Sequence, residues 1–155
     1  MSVVVSMLSM SAVAAGLFAG LMMTLIVVMD RMWSGLEPAE FAVEFPRFLA
    51  AAKGHPVIAG LTFFSFLGPA GAGVALLFME PVVGVMSLGA GLVFFAGAFL
   101  VTMLFNFPLY EAAQAWGSGA PVDIGIRRRF LRLNMVRFAS SAATFVVLIL
   151  TIGML

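Results

Sequence analysis

The stretch that decides the fold runs from Val82 to Leu109 and reads VVGVMSLGAGLVFFAGAFLVTMLFNFPL. It contains no charged residue, and its only amide (Asn106) and its only proline (Pro108) stand close to its end. A helix needs about 20 apolar residues to cross the roughly 30 Å of hydrocarbon in a bilayer. We therefore interpret this stretch as a membrane-spanning helix that ends in a polar motif.

The composition of the whole chain supports this interpretation. Of its 155 residues, 63% are hydrophobic and 10% are charged, whereas a soluble domain is typically about 45–50% apolar and about 25% charged. A domain of this size has too little interior to hide so much apolar surface from water, so the solvent must be lipid. The net charge is +1 and no basic stripe occurs, so no nucleic-acid partner is expected.

We predict an all-α integral membrane protein with one transmembrane domain over residues 1–155. Its four spans lie at about residues 3–29, 56–79, 82–109 and 130–155, in an up-down four-helix bundle. The first span is expected to be retained, because it lacks a basic n-region and is longer than the roughly 7–15 apolar residues of a signal peptide. Gly16 and Gly20 form a GxxxG spacing, which favours a close approach of another helix.

The first loop, residues 30–55, contains a predicted amphipathic helix. Aromatic residues recur at helical spacing on one face and charged residues lie on another: Phe41, Phe45 and Phe48 against Glu40, Glu44 and Arg47. This pattern is typical of a helix lying at the membrane interface. The alternative is a folded loop that packs over the end of the bundle.

The basic residues predict the orientation in the membrane. All of them lie in or beside the first and third loops: Arg31, Arg47, Lys53, Arg127, Arg128, Arg129, Arg132 and Arg137. Basic loops face the cytoplasm, so both termini are expected on the non-cytoplasmic side. The expected location is the inner membrane of a bacterium.

Polar residues at similar depth predict a pocket near the cytoplasmic leaflet. Asn106 and Tyr110 are four residues apart, and Asn134 and Arg137 are three apart, so each pair shares one helix face. An arginine at the centre of a membrane helix costs about 2.5–3.5 kcal/mol on insertion scales, so Arg137 needs a carboxylate or carbonyl partner. Asp30 and Glu111 are the candidate carboxylates, and His55 opens the second span nearby.

Both polar positions also have purely structural interpretations. Arg137 could extend to the headgroups or lock two helices together through a salt bridge. Asn106 could patch the break that Pro108 makes at the carbonyl of Leu104. Metal and cofactor sites are not expected, because the chain has one His and no Cys.

The motif Asn106-Phe-Pro-Leu-Tyr110, then Trp116, Arg129-Phe130, Asn134 and Arg137, resembles the closing half of the anthrone oxygenase-like family. These are small four-helix membrane proteins, many of them still classed as a domain of unknown function. Tyr110 stands where the family often has a second Asn, and residues 130–133 lack the Trp residues that often precede Asn-x-x-Arg.

The resemblance implies oxidation of an anthrone-like aromatic by dioxygen, without a dedicated metal or flavin. Arg137, Asn106 and Asn134 would be the catalytic residues, with Arg137 stabilising an oxyanion. Tyr110, His55 or a carboxylate would be the base, and the residues in contact with substrate would be Tyr110, Trp116, His55, Asp30 and Glu111. The alternatives are a binder of a quinone-like molecule, a non-catalytic subunit that assembles with partner membrane proteins or with itself, and a transporter.

Overall fold

The computed structural model describes residues 2–155, and within that range the chain forms helices and no strand. The five helices are α1 (Ser2–Ser34), α2 (Pro38–Ala52), α3 (Pro56–Leu77), α4 (Pro81–Ser118) and α5 (Ile126–Gly153). All except α2 are long and apolar enough to cross a membrane, which agrees with the predicted number of spans.

The helices begin where the sequence places prolines. Pro38, Pro56 and Pro81 each open a helix, where the fixed φ angle of proline suits the first turn and its missing N–H costs nothing. The third predicted span ended at residue 109, whereas α4 continues to Ser118. Pro108 is therefore accommodated inside a continuous helix.

The four long helices form a ring in which α1 contacts α3 and α5, and α4 contacts the same two helices. Towards one end of the ring, Leu8, Leu76, Val83 and Leu148 form a small apolar cluster with one residue from each helix. Outward-facing positions are also apolar: Val13, Leu17, Leu67, Leu92 and Ile149 are all exposed. A bundle with this surface is suited to lipid rather than water.

The backbones of α3 and α4 approach each other closely at a glycine. A Cβ atom added to Gly84 would lie 2.7 Å from the backbone nitrogen of Leu77 and 3.0 Å from the carbonyl oxygen of Gly73. Of the two glycines in the predicted GxxxG contact, only Gly16 lies close to another helix. A Cβ atom on Gly16 would meet the Phe145 ring at 3.2 Å, and one on Gly20 would meet nothing within 4 Å.

The predicted helix in the first loop is present as α2, and its apolar face packs on the protein. Phe41, Phe45 and Leu49 are buried. The Phe45 ring lies edge-on to Trp33 at 5.0 Å and to Phe130 at 5.4 Å between centroids. This packing favours the alternative of a segment folded over the bundle, since Phe41, Phe45 and Leu49 of α2 are buried against the protein.

Two of the long helices contain π-helical turns, in which the backbone hydrogen bond skips one more residue than in an α-helix. One occupies Leu25–Met29 of α1, and two follow each other in α4 at Phe95–Leu100 and Thr102–Asn106. The N–H of Phe107 donates to the carbonyl of Thr102, immediately before Pro108. The backbone itself adapts to Pro108, so Asn106 is not needed to patch a break there.

Candidate functional site

A cavity of about 420 Å³ lies at the end of the bundle that α2 covers. Its walls come from α1, the end of α2, the α2–α3 turn, the start of α3 and the second half of α4, with Phe130 and Arg137 of α5 also in the lining. The volume lies within the about 300–1,000 Å³ typical of small-molecule sites. Most of the lining is apolar, and its polar side chains are Thr24, Lys53, His55, Thr62, Thr102, Tyr110 and Arg137.

Arg137 is the charged group deepest in the protein. Its side chain lines the cavity although the residue is only 4% exposed. Its Nη1 donates to Asn134 Oδ1 at 2.8 Å, and its Cζ lies 5.2 Å from the centroid of the Phe18 ring. The Tyr110 side chain lines the same cavity. Arg137 therefore does not extend to the surface, and the interpretation that it reaches the headgroups is wrong.

The two carboxylates proposed as partners of Arg137 are engaged elsewhere. Asp30 Oδ1 lies 3.5 Å from Arg127 Nη1, and Glu111 Oε1 lies 3.8 Å from Lys53 Nζ. No ion pair involving Arg137 occurs within residues 2–155. Of the two expected kinds of partner, carboxylate or carbonyl, Arg137 has a carbonyl: its partner is the amide oxygen of Asn134, one helical turn away, and neither Asp30 nor Glu111 is its partner.

This arrangement leaves a buried positive charge without a counter-ion. A hydrogen bond and a ring face reduce the cost of burying a guanidinium, but neither carries a compensating negative charge. Arg137 Nε also has no hydrogen-bond partner in the described part of the chain. Removing a charged group from water costs several kcal/mol unless it is paired, so the site retains an unused capacity to bind an anion or a polar oxygen.

Asn106 and Asn134 lie among the most deeply buried polar residues, at 0% and 1% exposure. Within residues 2–155, three of their side-chain atoms have no hydrogen-bond partner: both polar atoms of Asn106 (Oδ1 and Nδ2) and Nδ2 of Asn134. Such unsatisfied buried polar atoms are rare in native proteins, where most buried polar atoms have a hydrogen-bond partner. Neither amide lines the cavity. Asn134 acts on the cavity through Arg137, which it holds by the 2.8 Å hydrogen bond.

The expected face of α5 is confirmed. Asn134, Arg137 and Ser141 are all buried on it. Ser141 Oγ donates to the carbonyl oxygen of Arg137 at 2.5 Å. Asn134 thus binds the guanidinium of Arg137, and Ser141 binds the backbone carbonyl of the same residue.

Of the other predicted site residues, the structure places two in the cavity lining and three outside it. Tyr110 and His55 line the cavity. Asp30 and Glu111 form the ion pairs described above and do not line it. Trp116 also lies outside, because its indole packs on Phe41 and Phe45 of α2, with ring centroids 6.0 and 6.3 Å apart.

Sequence reasoning missed Lys53 as a residue of the site. Its Nζ lies 5.5 Å from the centroid of the Phe107 ring and 3.8 Å from Glu111. Lys53 lies in the α2–α3 turn and Glu111 on α4, so their ion pair crosses one edge of the cavity. The aromatic lining was missed as well: Phe48, Phe63, Phe99, Phe107 and Phe130.

The threonines contribute little polarity to the cavity. Thr24, Thr62 and Thr102 donate their hydroxyls to carbonyl oxygens four residues earlier, at 3.0, 2.8 and 2.7 Å. Their donor capacity is used inside their own helices. The polar groups with capacity left for a ligand are consequently Arg137, Tyr110, His55 and Lys53.

The π-helical turns border this cavity. Leu25 and Met29 from the turn in α1 line it, as do Phe99 and Thr102 from the two turns in α4. π-helical turns frequently occur at functional sites, because the inserted residue redirects the side chains around it. In this protein the π-helical turns of α1 and α4 lie at the cavity between these helices.

Within residues 2–155, no group of three His, Asp or Glu side chains could hold a metal ion. Comparisons with known proteins found no match to the chain among protein-family models, curated proteins or solved structures.

Proposed function

We propose that this chain is an integral membrane protein that binds an apolar aromatic molecule of the quinone type in the cavity beside Arg137. The observation that carries the proposal is the 420 Å³ apolar cavity in which one buried guanidinium lacks a counter-ion. Binding sites of this kind combine apolar walls with a few convergent polar groups. The aromatic rings in the lining favour a planar ligand.

Within this proposal, the four long helices form an up-down bundle with α2 at the cytoplasmic membrane surface. The basic residues of α2, of the α2–α3 turn and of the start of α5 support this orientation. Both termini would then lie on the non-cytoplasmic side. Because the chain contains no Cys, single cysteines at Ser118 and at Gly153 can be labelled with a membrane-impermeant maleimide in intact cells. Labelling of Gly153→Cys but not of Ser118→Cys is expected, and the reverse pattern would contradict the orientation.

The proposed reaction is the one that the family resemblance implies, oxidation of the activated methylene carbon of an anthrone-like molecule by dioxygen, in which one oxygen atom becomes the new ketone oxygen and the other leaves as water with the two methylene hydrogens. Arg137 is the group able to stabilise an oxyanion on the ligand in a site of low dielectric constant. Tyr110 and His55 are the candidate bases, since no carboxylate lines the cavity. Oxygen consumption with an anthrone tests the reaction separately from binding.

Binding is tested by filling the cavity. Ala59→Trp places a large side chain in its wall on α3, and Ala75→Trp makes the same change at an exposed position of the same helix that does not line the cavity. We expect purified protein in nanodiscs to bind members of a naphthoquinone panel, Ala59→Trp to lose that binding, and Ala75→Trp to keep it. Absence of binding to the wild type, or equal binding by both variants, would overturn the proposal and favour a non-catalytic membrane subunit.

A further inference from the structure

We infer that the ligand of this cavity is an acid, bound as an anion whose oxygen pairs with Arg137. The inference rests on the proposed function and specifies the ligand's charge. It begins from the lining, whose charged residues are Arg137 and Lys53 and which contains no Asp or Glu. An apolar cavity that contains cationic groups and no anionic group selects ligands of negative charge.

The state of Arg137 gives the stronger argument. Its Nη1 is used by Asn134, and its Nε has no partner within residues 2–155. Lys53 differs, because it is exposed and lies 3.8 Å from the Glu111 carboxylate. The uncompensated positive charge therefore lies at the buried end of the cavity.

A neutral carbonyl oxygen would accept a hydrogen bond from Arg137 but would leave its charge unpaired. An ionised oxygen would do both, and charge-assisted hydrogen bonds are roughly twice as strong as neutral ones. The low dielectric constant of the surroundings increases the difference between the two ligands. The aromatic lining favours an acidic aromatic molecule, such as an ionised hydroxyquinone or phenol, over an acyl chain.

The inference also bears on the proposed chemistry. A ligand that enters already ionised needs no base to create its oxyanion. This agrees with the absence of a carboxylate from the lining. In that case Arg137 serves to bind the anion, and Tyr110 contributes to positioning it.

The test uses two probes of the same shape and different charge. 2-Hydroxy-1,4-naphthoquinone is ionised at neutral pH, and its 2-methoxy analogue is neutral. We expect wild-type protein in phosphatidylcholine nanodiscs to bind the hydroxy compound at least about tenfold more tightly, measured by calorimetry against empty nanodiscs. Equal or tighter binding of the methoxy compound would overturn the inference while leaving the proposed function intact. Binding of neither probe would overturn both.

Matched variants locate the anion. Arg137→Gln should lose the preference for the hydroxy compound, whereas Arg132→Gln, the same change at an exposed position of α5 outside the cavity, should keep it. If Arg137→Gln does not fold, the comparison of probes on the wild type still decides the question. An anionic lipid headgroup could supply the same chemistry, so the titration is repeated in nanodiscs containing phosphatidylglycerol. Loss of the hydroxy compound's binding there would assign the site to lipid and overturn the inference of an aromatic ligand.

Discussion

Replacing Asn106 with leucine should stabilise the protein, although Asn106 lies at 0% exposure inside the bundle. Neither its Oδ1 nor its Nδ2 has a hydrogen-bond partner in the part of the chain that the structure describes. Leucine has the same branching at Cγ, and it places apolar atoms where the amide has polar ones. The substitution therefore removes two unsatisfied polar groups without leaving a void at position 106.

The expected gain follows from the number of those groups. Each buried polar group without a partner costs about 1–3 kcal/mol, so the amide costs about 2–6 kcal/mol in all. Leucine is larger than asparagine, and overpacking costs typically about 1–3 kcal/mol. The middle of the two ranges leaves a net gain of about 2 kcal/mol in the free energy of unfolding.

The assay is unfolding by SDS in mixed micelles, followed by far-UV circular dichroism. Thr144→Val is the matched control, because it also replaces a buried polar residue with an apolar one. Thr144 Oγ1 donates to the carbonyl of Ala90 at 3.1 Å, and interhelical hydrogen bonds of this kind contribute about 0.6 kcal/mol on average. The two substitutions should therefore shift stability in opposite directions. Destabilisation by both would refute the reasoning, because it would mean that the Asn106 amide is satisfied in the folded protein.

Three further predictions concern the packing around the site. Gly84→Leu should lower the free energy of unfolding in the SDS assay by about 1–3 kcal/mol, because its Cβ would lie 2.7 Å from the Leu77 nitrogen. An unchanged free energy of unfolding would show that α3 and α4 can separate freely. Trp33→Ala should lower the free energy of unfolding by about 3–5 kcal/mol and make α2 accessible to trypsin, because Trp33 is 3% exposed and packs against Phe45. Continued resistance to trypsin would mean that other contacts hold α2 in place. Asp30→Asn should change stability by less than about 1 kcal/mol, since its 3.5 Å pair with Arg127 is partly exposed, and a larger loss in thermal denaturation would contradict this estimate.

Hydropathy was sufficient to predict the number of long helices, because a span without charges has few alternatives in a chain of this composition. Helix starts were predictable at Pro56 and within one residue at Pro81. The end of α4 was not, since its residues after Pro108 pack on α2 and remain helical for that reason. The interaction that extends this helix joins residues distant in sequence, such as Trp116 and Phe45.

The candidate site was predictable where it depends on one helix and unpredictable where it depends on several. The spacing of Asn134 and Arg137 predicts a shared face, and the structure confirms it through their hydrogen bond. The partners of Asp30 and Glu111 depend on how loops lie over the bundle, and no local pattern distinguishes Arg127 or Lys53 from Arg137 as a partner. Lys53 was missed for the same reason.

The successive π-helical turns in α4 make the spatial positions of Asn106 and Tyr110 depend on chain length as well as on residue type. One residue turns an α-helix by about 100°. Deleting a single residue between Phe95 and Leu104 would allow one π-helical turn to close into regular α-helical pairing while the residues that follow keep their direction. Deleting a single residue from the regular α-helical stretch Pro81–Phe94 would instead rotate everything that follows by about that angle relative to the start of the helix. Tyr110 would then swing away from Arg137 even though every side chain of the site was still present. A scan by point substitution would leave this dependence on length undetected, whereas a scan by single-residue deletions along α4 would reveal it.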